Sequence, residues 1–255
     1  ALPILLRKEQ YRCSDDEIRS CQIAKYFIVG KIFNSRSVLE RAKRDHPMSF
    51  DIQSLKEISS SLLRLAKEAR KCCDLDSLRG YEGEAASLYF SVFDHLILQN
   101  KKIFSFKQRM KRPPKDYVNA LLSFCYTILA NDCASALEAV GLDAYVGFLH
   151  RDRPGRISLA LDLMEELRSI YADRFVLTLI NNRKINASAF ERQENGAVLL
   201  NDKGRKIFLT DWQNRKKDII KHPFLDEKIP WGLVPFVQAQ LLGKVLRGDL
   251  DRKST

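Results

Sequence analysis

Along most of the chain, apolar residues recur every three or four positions, the repeat of a helix with one buried face. Five long segments follow this repeat. Ser14-Asp15-Asp16-Glu17 reads as a capping box and opens the first, which extends to about Lys43. Ile52, Leu55, Ile58, Leu62 and Leu65 mark a second, from about Asp51 to Lys71. The third begins near Ser77 and extends to about Leu98. Asp116 as N-cap and Gly141 as stop bracket the fourth, and the fifth runs from after Ser158 to about Leu179. The pattern changes after Asn182. Val198-Leu199-Leu200 and Ile207-Phe208-Leu209 predict the strands of a small hairpin within residues 190–209, with Lys203-Gly204 near its turn. A last helix is expected from about Val234 to Arg247. The class is therefore mainly α with one small β element.

The chain has 255 residues, enough for a sizeable core, and its 45% hydrophobic and 29% charged residues exclude a wholly disordered chain. Lys and Arg outnumber Asp and Glu by 43 to 32, and a net charge of +11 suits a polyanionic partner such as DNA, RNA or an anionic membrane. The longest uncharged run, residues 117–131, falls short of the roughly 20 residues that cross a bilayer, so a membrane span is not expected. The apolar start ALPILL lacks a preceding basic region and does not read as a signal peptide. With no initiator Met, the sequence reads as the remainder of a longer protein. No CxxC pair occurs among the six cysteines, so neither disulfides nor a zinc cluster is expected, and a reducing, cytoplasmic setting fits.

Three stretches carry chemistry. With Glu82 at zero on a helical wheel, Ala85, Ala86, Tyr89, Phe90, Val92, Phe93, Leu96 and Ile97 all fall within about 80° of it, whereas Glu84 faces away. A carboxylate in an apolar stripe needs a cation or several donors. Arg79, one turn earlier, is a structural partner for it, and a bound ligand is the functional alternative. Gly80 and Gly83 remove bulk on either side. In the fifth helix Asp162, Glu165 and Glu166 share a face opposite Leu163, Met164, Leu167, Ile170 and Tyr171. That face is either a solvated acidic surface or a set of cation ligands, because like charges so close repel. His150 precedes this helix in a loop with Arg151, Arg153 and Arg156. An imidazole beside such acids can complete a site for magnesium or manganese, with the arginines holding phosphates. His46, His95 and His222 are expected at the surface. The motifs GxSxG, GxxxxGK[ST] and GxGxxG are absent. Scattered basic stretches, Lys107 to Lys115 and Arg215 to Lys221 among them, favour nucleic acid along a surface.

These stretches resemble one family. Residues 78–90, LRGYEGEAASLYF, are similar to the glutamate motif of the CRISPR-associated adaptation nuclease and integrase, the Cas-one family. Gly141-Leu142-Asp143 through His150, with Pro154 beyond, resembles its histidine motif, and Leu161 to Glu165 its acidic helix motif. Val234-Pro235-Phe236-Val237-Gln238 is also similar. The likeness covers about Leu5 to Asp251 and leans toward the type I-C branch. It implies that residues 1–13 are a remnant of an N-terminal β domain or linker, 14–251 a helical catalytic domain and 252–255 a tail. It also implies a DNA endonuclease and integrase that inserts new spacer DNA into a CRISPR array. Mg2+ or Mn2+ would be held by Glu82, His150 and Glu165, with Asp162 a second acid near the metal. The implied partners are double-stranded DNA, the small protein Cas-two, Cas-four, and a second copy in the full-length family. Where several relatives have Asp as third ligand this chain has Glu165, which leaves Glu165 and Asp162 as alternative direct ligands. From the residues alone, a non-catalytic basic helical DNA-binding or scaffold module is the alternative.

Overall fold

The computed structural model describes residues 2–47 and 52–250; the expected start of the second helix at Asp51 and the tail 252–255 lie outside them. Nine α-helices and two short hairpins follow one another in the order α1–α7, β1, β2, α8, β3, β4, α9 among the described residues.

The first expected helix is present, with a further helix ahead of it that the repeat did not mark. Helix α1 covers Leu2–Asp15 and α2 covers Glu17–Asp45. Asp16, not Ser14, is the N-cap. Its carboxylate accepts the N–H of Ile18 at 2.9 Å and of Arg19 at 3.1 Å, closing the new helix on itself. Ser14 instead donates to the Gly147 carbonyl at 3.0 Å. The segment expected as a domain remnant is thus mostly α1, packed on α2 and α9. Helix α2 buries Phe27, Ile28, Ile32, Val38 and Leu39 along one stripe against α3 (Ile52–Lys71), α4 (Leu75–Ser91) and α6 (Ser158–Leu167). Each large apolar side chain fully buried there contributes roughly 1.5–3 kcal/mol.

Helix α4 starts at its cap Asp74 and stops short of the expected Leu98, tightening into a 3-10 turn at Phe93–Leu96. Helix α5, Tyr117–Ala139, begins after its cap Asp116 as expected. It runs eight residues past the uncharged stretch and is long and apolar enough to cross a membrane by length and composition alone. Here more than half of it is buried, against α6, α7, α9 and β2. The fifth expected helix is interrupted. Residues 168–173 form a π-helical turn between α6 and α7 (Arg174–Asn181). The wider turn lets Ser169, Tyr171, Ala172 and Asp173 all point inward.

The predicted hairpin is displaced. Its strands are β1 (Phe190–Arg192) and β2 (Val198–Leu200), paired in antiparallel register with Glu191 opposite Leu199. Ile207-Phe208-Leu209 is not a strand but part of helix α8, Asp202–Lys217. Asn201 caps that helix by accepting the Gly204 N–H at 2.9 Å, and Gly204, Phe208 and Trp212 repeat at helical spacing on its buried face. Gly204 is required by contact rather than by a turn: a Cβ there would stand 2.1 Å from the Ala189 carbonyl oxygen. A second hairpin, β3 (Ile219–Lys221) with β4 (Lys228–Pro230), leads into α9 (Val234–Arg247), which matches its expected bounds. Trp212 and Trp231 sandwich the buried Tyr171 ring at 4.6 and 4.7 Å, tying α8 and the second hairpin to the π turn.

Candidate active site

Glu82 sits on α4 between Leu78 and Ala85 and next to Tyr89 along the buried face, where the helical wheel puts it. Glu84 is exposed and pairs with Arg64 at 3.2 Å. Arg79 is not the partner of Glu82. Its guanidinium bonds Asp76 and donates to the Leu149 carbonyl at 2.7 Å, fastening the His150 loop to α4. The partner is Lys31 of α2, whose ammonium hydrogen-bonds Glu82 Oε1 and also Glu165 Oε2, the latter at 2.6 Å.

The acidic face of α6 is therefore not a solvated surface. Asp162 and Glu165 are buried, because α2 and the 142–157 loop cover them. Asp162 accepts the backbone N–H of Phe148 at 2.6 Å and of Leu149 and His150 at 3.0 Å each. It also binds His150 Nδ1 at 2.6 Å. A carboxylate can only accept, so Nδ1 carries the proton and the Nε2 lone pair is left outward. That nitrogen lies 3.9 Å from Glu165 Oε1. Gly147 lets the loop come this close: a Cβ there would stand 2.9 Å from Asp162 Oδ2.

Glu165 Oε1 also meets Arg168 at 3.2 Å. Burial disfavours the charged carboxyl, but the Arg168 guanidinium and Lys31 ammonium outweigh it and hold the group at about 2. Glu166 behaves oppositely. Burial raises it to about 7, despite a hydrogen bond from Gln238 Nε2. Gln238 Oε1 in turn meets His222 Nε2 at 3.1 Å, and His222 is buried, not at the surface as expected. The fold of β3–β4 encloses it, with its Nδ1 accepting the Leu225 N–H at 3.2 Å.

A cavity of about 460 Å3 opens beside Glu82, lined also by Lys31, Tyr89, Arg109, Lys111 and Arg168. Burial and the nearby Arg168 charge push the Lys111 ammonium below its ordinary range. Arg168 and Arg109 stand 4.9 and 5.3 Å from the Tyr126 ring centroid. Tyr126 donates to the buried Asp173 at 2.5 Å; burial raises Asp173 to about 6. Arg151 and Arg153 are exposed and Arg156 is half-buried, on the loop that continues from His150.

Glu82, His150 and Glu165 thus converge from α4, a loop and α6, while Asp162 is taken up by the loop and the imidazole. Among the described residues no three His, Cys, Asp or Glu side chains are close enough together to hold a metal ion as they stand, and the Lys31 ammonium contacts both Glu82 and Glu165. Lys31 and Arg168 were not singled out by sequence, and Arg109 and Lys111 only as part of the basic stretch Lys107 to Lys115. Lys31 carries a signal of the same kind as Glu82: it is a charge in the apolar stripe of α2, four residues from Phe27 and from Ser35.

The chain is 53% identical over 252 residues to "CRISPR-associated endonuclease Cas1 2" of Rhodospirillum rubrum, covering 97% of this chain and 72% of that protein. Among solved structures it superposes with a TM-score of 0.82 on a casposase bound to integration product, at 26% identity, covering 98% of this chain and 70% of the other. A chain of a partial Cas6-RT-Cas1–Cas2 complex matches with a TM-score of 0.80 and 25% identity, over 96% and 70% of the two chains. The family model "CRISPR associated protein Cas1" matches residues 2–214, the stretch that holds α1 to α7, most of α8, and Lys31, Glu82, His150, Asp162, Glu165 and Arg168, so the chain belongs to the Cas1 family.

Proposed function

We propose that this chain is a divalent-metal-dependent DNA endonuclease and integrase of CRISPR adaptation. The observation that carries the reading is the convergence of Glu82 and Glu165 on one cation, with the Nε2 side of His150 facing the same carboxylate at 3.9 Å. Two carboxylates and one imidazole are a donor set for Mg2+ or Mn2+. Glu82, Glu165 and His150 Nε2 would hold the ion. Asp162 orients the imidazole from behind and fixes its tautomer. A bound divalent ion supplies Lewis-acid polarisation of a phosphoryl oxygen and neutralises its developing charge.

The chain's own residues do the rest. Arg168 holds Glu165 ionised, so the carboxylate is ready at neutral pH. Arg151, Arg153 and Arg156 hold backbone phosphates of double-stranded DNA, which sets register rather than sequence. The nucleophile is water in cutting, and the 3′-hydroxyl of an incoming fragment in spacer insertion. The likeness to a chain of a Cas6-RT-Cas1–Cas2 complex supports Cas2 as a partner, and the family resemblance adds Cas4 and a second copy of the chain. On this reading the protein acts in the cytoplasm.

The test compares wild type with Glu82→Gln and His150→Ala on duplex DNA in Mg2+ or Mn2+. Both variants should lose cutting and strand joining; retained activity in both overturns the assignment. The Lys31–Glu82 pair also favours a second reading, a non-catalytic module in which Glu82 is simply an ion-pair partner. In that case Mn2+ would leave the melting temperature of wild type unchanged, whereas a true site raises it.

A further inference from the structure

Lys31 is the one cation in contact with both Glu82 and Glu165 among the described residues. It comes from the buried face of α2, its side chain only 10% exposed. Its neighbours along that face, Phe27, Ile28 and Ile32, are core residues, and its carbonyl accepts the Ser35 hydroxyl at 2.9 Å. The backbone is therefore fixed, and only the flexible four-carbon stem can move. We infer that Lys31 is an internal stand-in for the divalent ion, a positioning residue that holds the two acids together before loading and must be displaced when the ion binds. The inference rests on the proposed function above.

Three observations carry it. The first is place: the ammonium bridges the two carboxylates assigned to the ion, with the His150 ring on the far oxygen of one of them. A divalent ion bound by the same oxygens would sit against it, and cations at contact distance repel strongly. The second is charge. The side chains of Glu82, Glu165, Lys31 and Arg168 sum to zero as they stand. Adding a divalent ion with Lys31 in place makes the group +2. With Lys31 withdrawn it is +1, which one phosphodiester neutralises. Arg168 is poorly suited to be the group that leaves, because it is packed over the Tyr126 ring and held to Glu165 through the oxygen that faces His150. The third is room. Lys31 lines the cavity of about 460 Å3 together with Ser35, Ser87 and Tyr89, so the stem has open volume to turn into without moving α2.

The test is Mn2+ binding to the full chain without DNA, read as free Mn2+ by electron paramagnetic resonance across a titration, for wild type, Lys31→Met, Lys31→Arg and Glu82→Gln. Circular dichroism in EDTA checks that each is folded. Removing the competitor should tighten Mn2+ binding by Lys31→Met about ten-fold or more over wild type, the scale of one contact charge pair. Its melting temperature in EDTA should fall, because the acids then face each other unbridged. Lys31→Arg keeps the charge and should not tighten binding. Affinity of Lys31→Met equal to or weaker than wild type overturns the inference and makes Lys31 a structural ion-pair partner. Should Lys31→Met not fold, Lys31→Gln is read by the same criterion. No Mn2+ binding by either wild type or Lys31→Met overturns the proposed function itself, whereas binding by wild type that Glu82→Gln abolishes leaves that function standing whatever Lys31 does.

Discussion

Asp162 is where a single atom change should do the most readable damage. Its two oxygens accept three backbone N–H groups and the His150 ring, all within 2.6–3.0 Å, and the side chain is fully buried. In Asp162→Asn the shape is kept but one oxygen becomes an NH2 donor. If the remaining oxygen keeps Phe148 and Leu149, the amide NH2 faces the His150 N–H and ring. One charge-assisted bond is lost, worth about 1.5–3 kcal/mol, and a buried donor is left facing a donor, costing about 1–3 kcal/mol more. A loss near 3–4 kcal/mol follows, which for a chain of this size lowers the melting temperature by about 10 °C. The ring must then accept at Nδ1, so its proton moves to Nε2 and the lone pair facing Glu165 is gone. Mn2+ affinity should drop by roughly 10–100-fold, as for loss of other outer partners of metal-binding histidines. Thermal unfolding in EDTA gives the stability, and nitrogen NMR of the labelled ring gives the tautomer. A variant within about 1 kcal/mol of wild type whose Nε2 stays unprotonated refutes the reasoning.

Glu166 makes stability depend on pH in the opposite sense to an ordinary paired carboxylate. Burial raises it to about 7 from 4.5, so the folded state binds this proton more tightly than the unfolded chain. Its contribution is fully present below about pH 4.5 and is lost as pH rises to 7, by up to about 3 kcal/mol. Glu166→Gln should equal wild type at low pH and exceed it at pH 8 in urea unfolding with EDTA; parallel curves would count against a buried carboxyl. For the basic loop, alanine at Arg151, Arg153 or Arg156 should weaken binding to unrelated duplex sequences alike. Each should flatten the slope of log affinity against log salt by about one, and a sequence-dependent loss would mean base contact instead.

Periodicity within one helix was enough to find the charged residues that face inward, but not what they face. Glu82 is legible because α4 holds its repeat from Leu78 to Tyr89. Arg79 lies one turn away and is the partner that spacing alone offers, yet it turns to the Leu149 carbonyl, a bond 70 residues distant. The true partner, Lys31, is 51 residues from Glu82 and 134 from Glu165. The two readings of the acidic face of α6 could not be separated by spacing, since whether a polar face is solvated depends on whether another element covers it. The same limit explains His222, enclosed by a hairpin that three-residue strands barely announce. The misplaced strand at Ile207–Leu209 has a local cause. A run of three apolar residues fits either period, and the cap from Asn201 to Gly204 together with Trp212 four residues beyond Phe208 decides for helix. A charge inside an apolar stripe cannot stay unpaired in a core. Two such stripes with inward charges of opposite sign, on α2 and α4, are therefore evidence for each other, and taken jointly they pair Lys31 with Glu82.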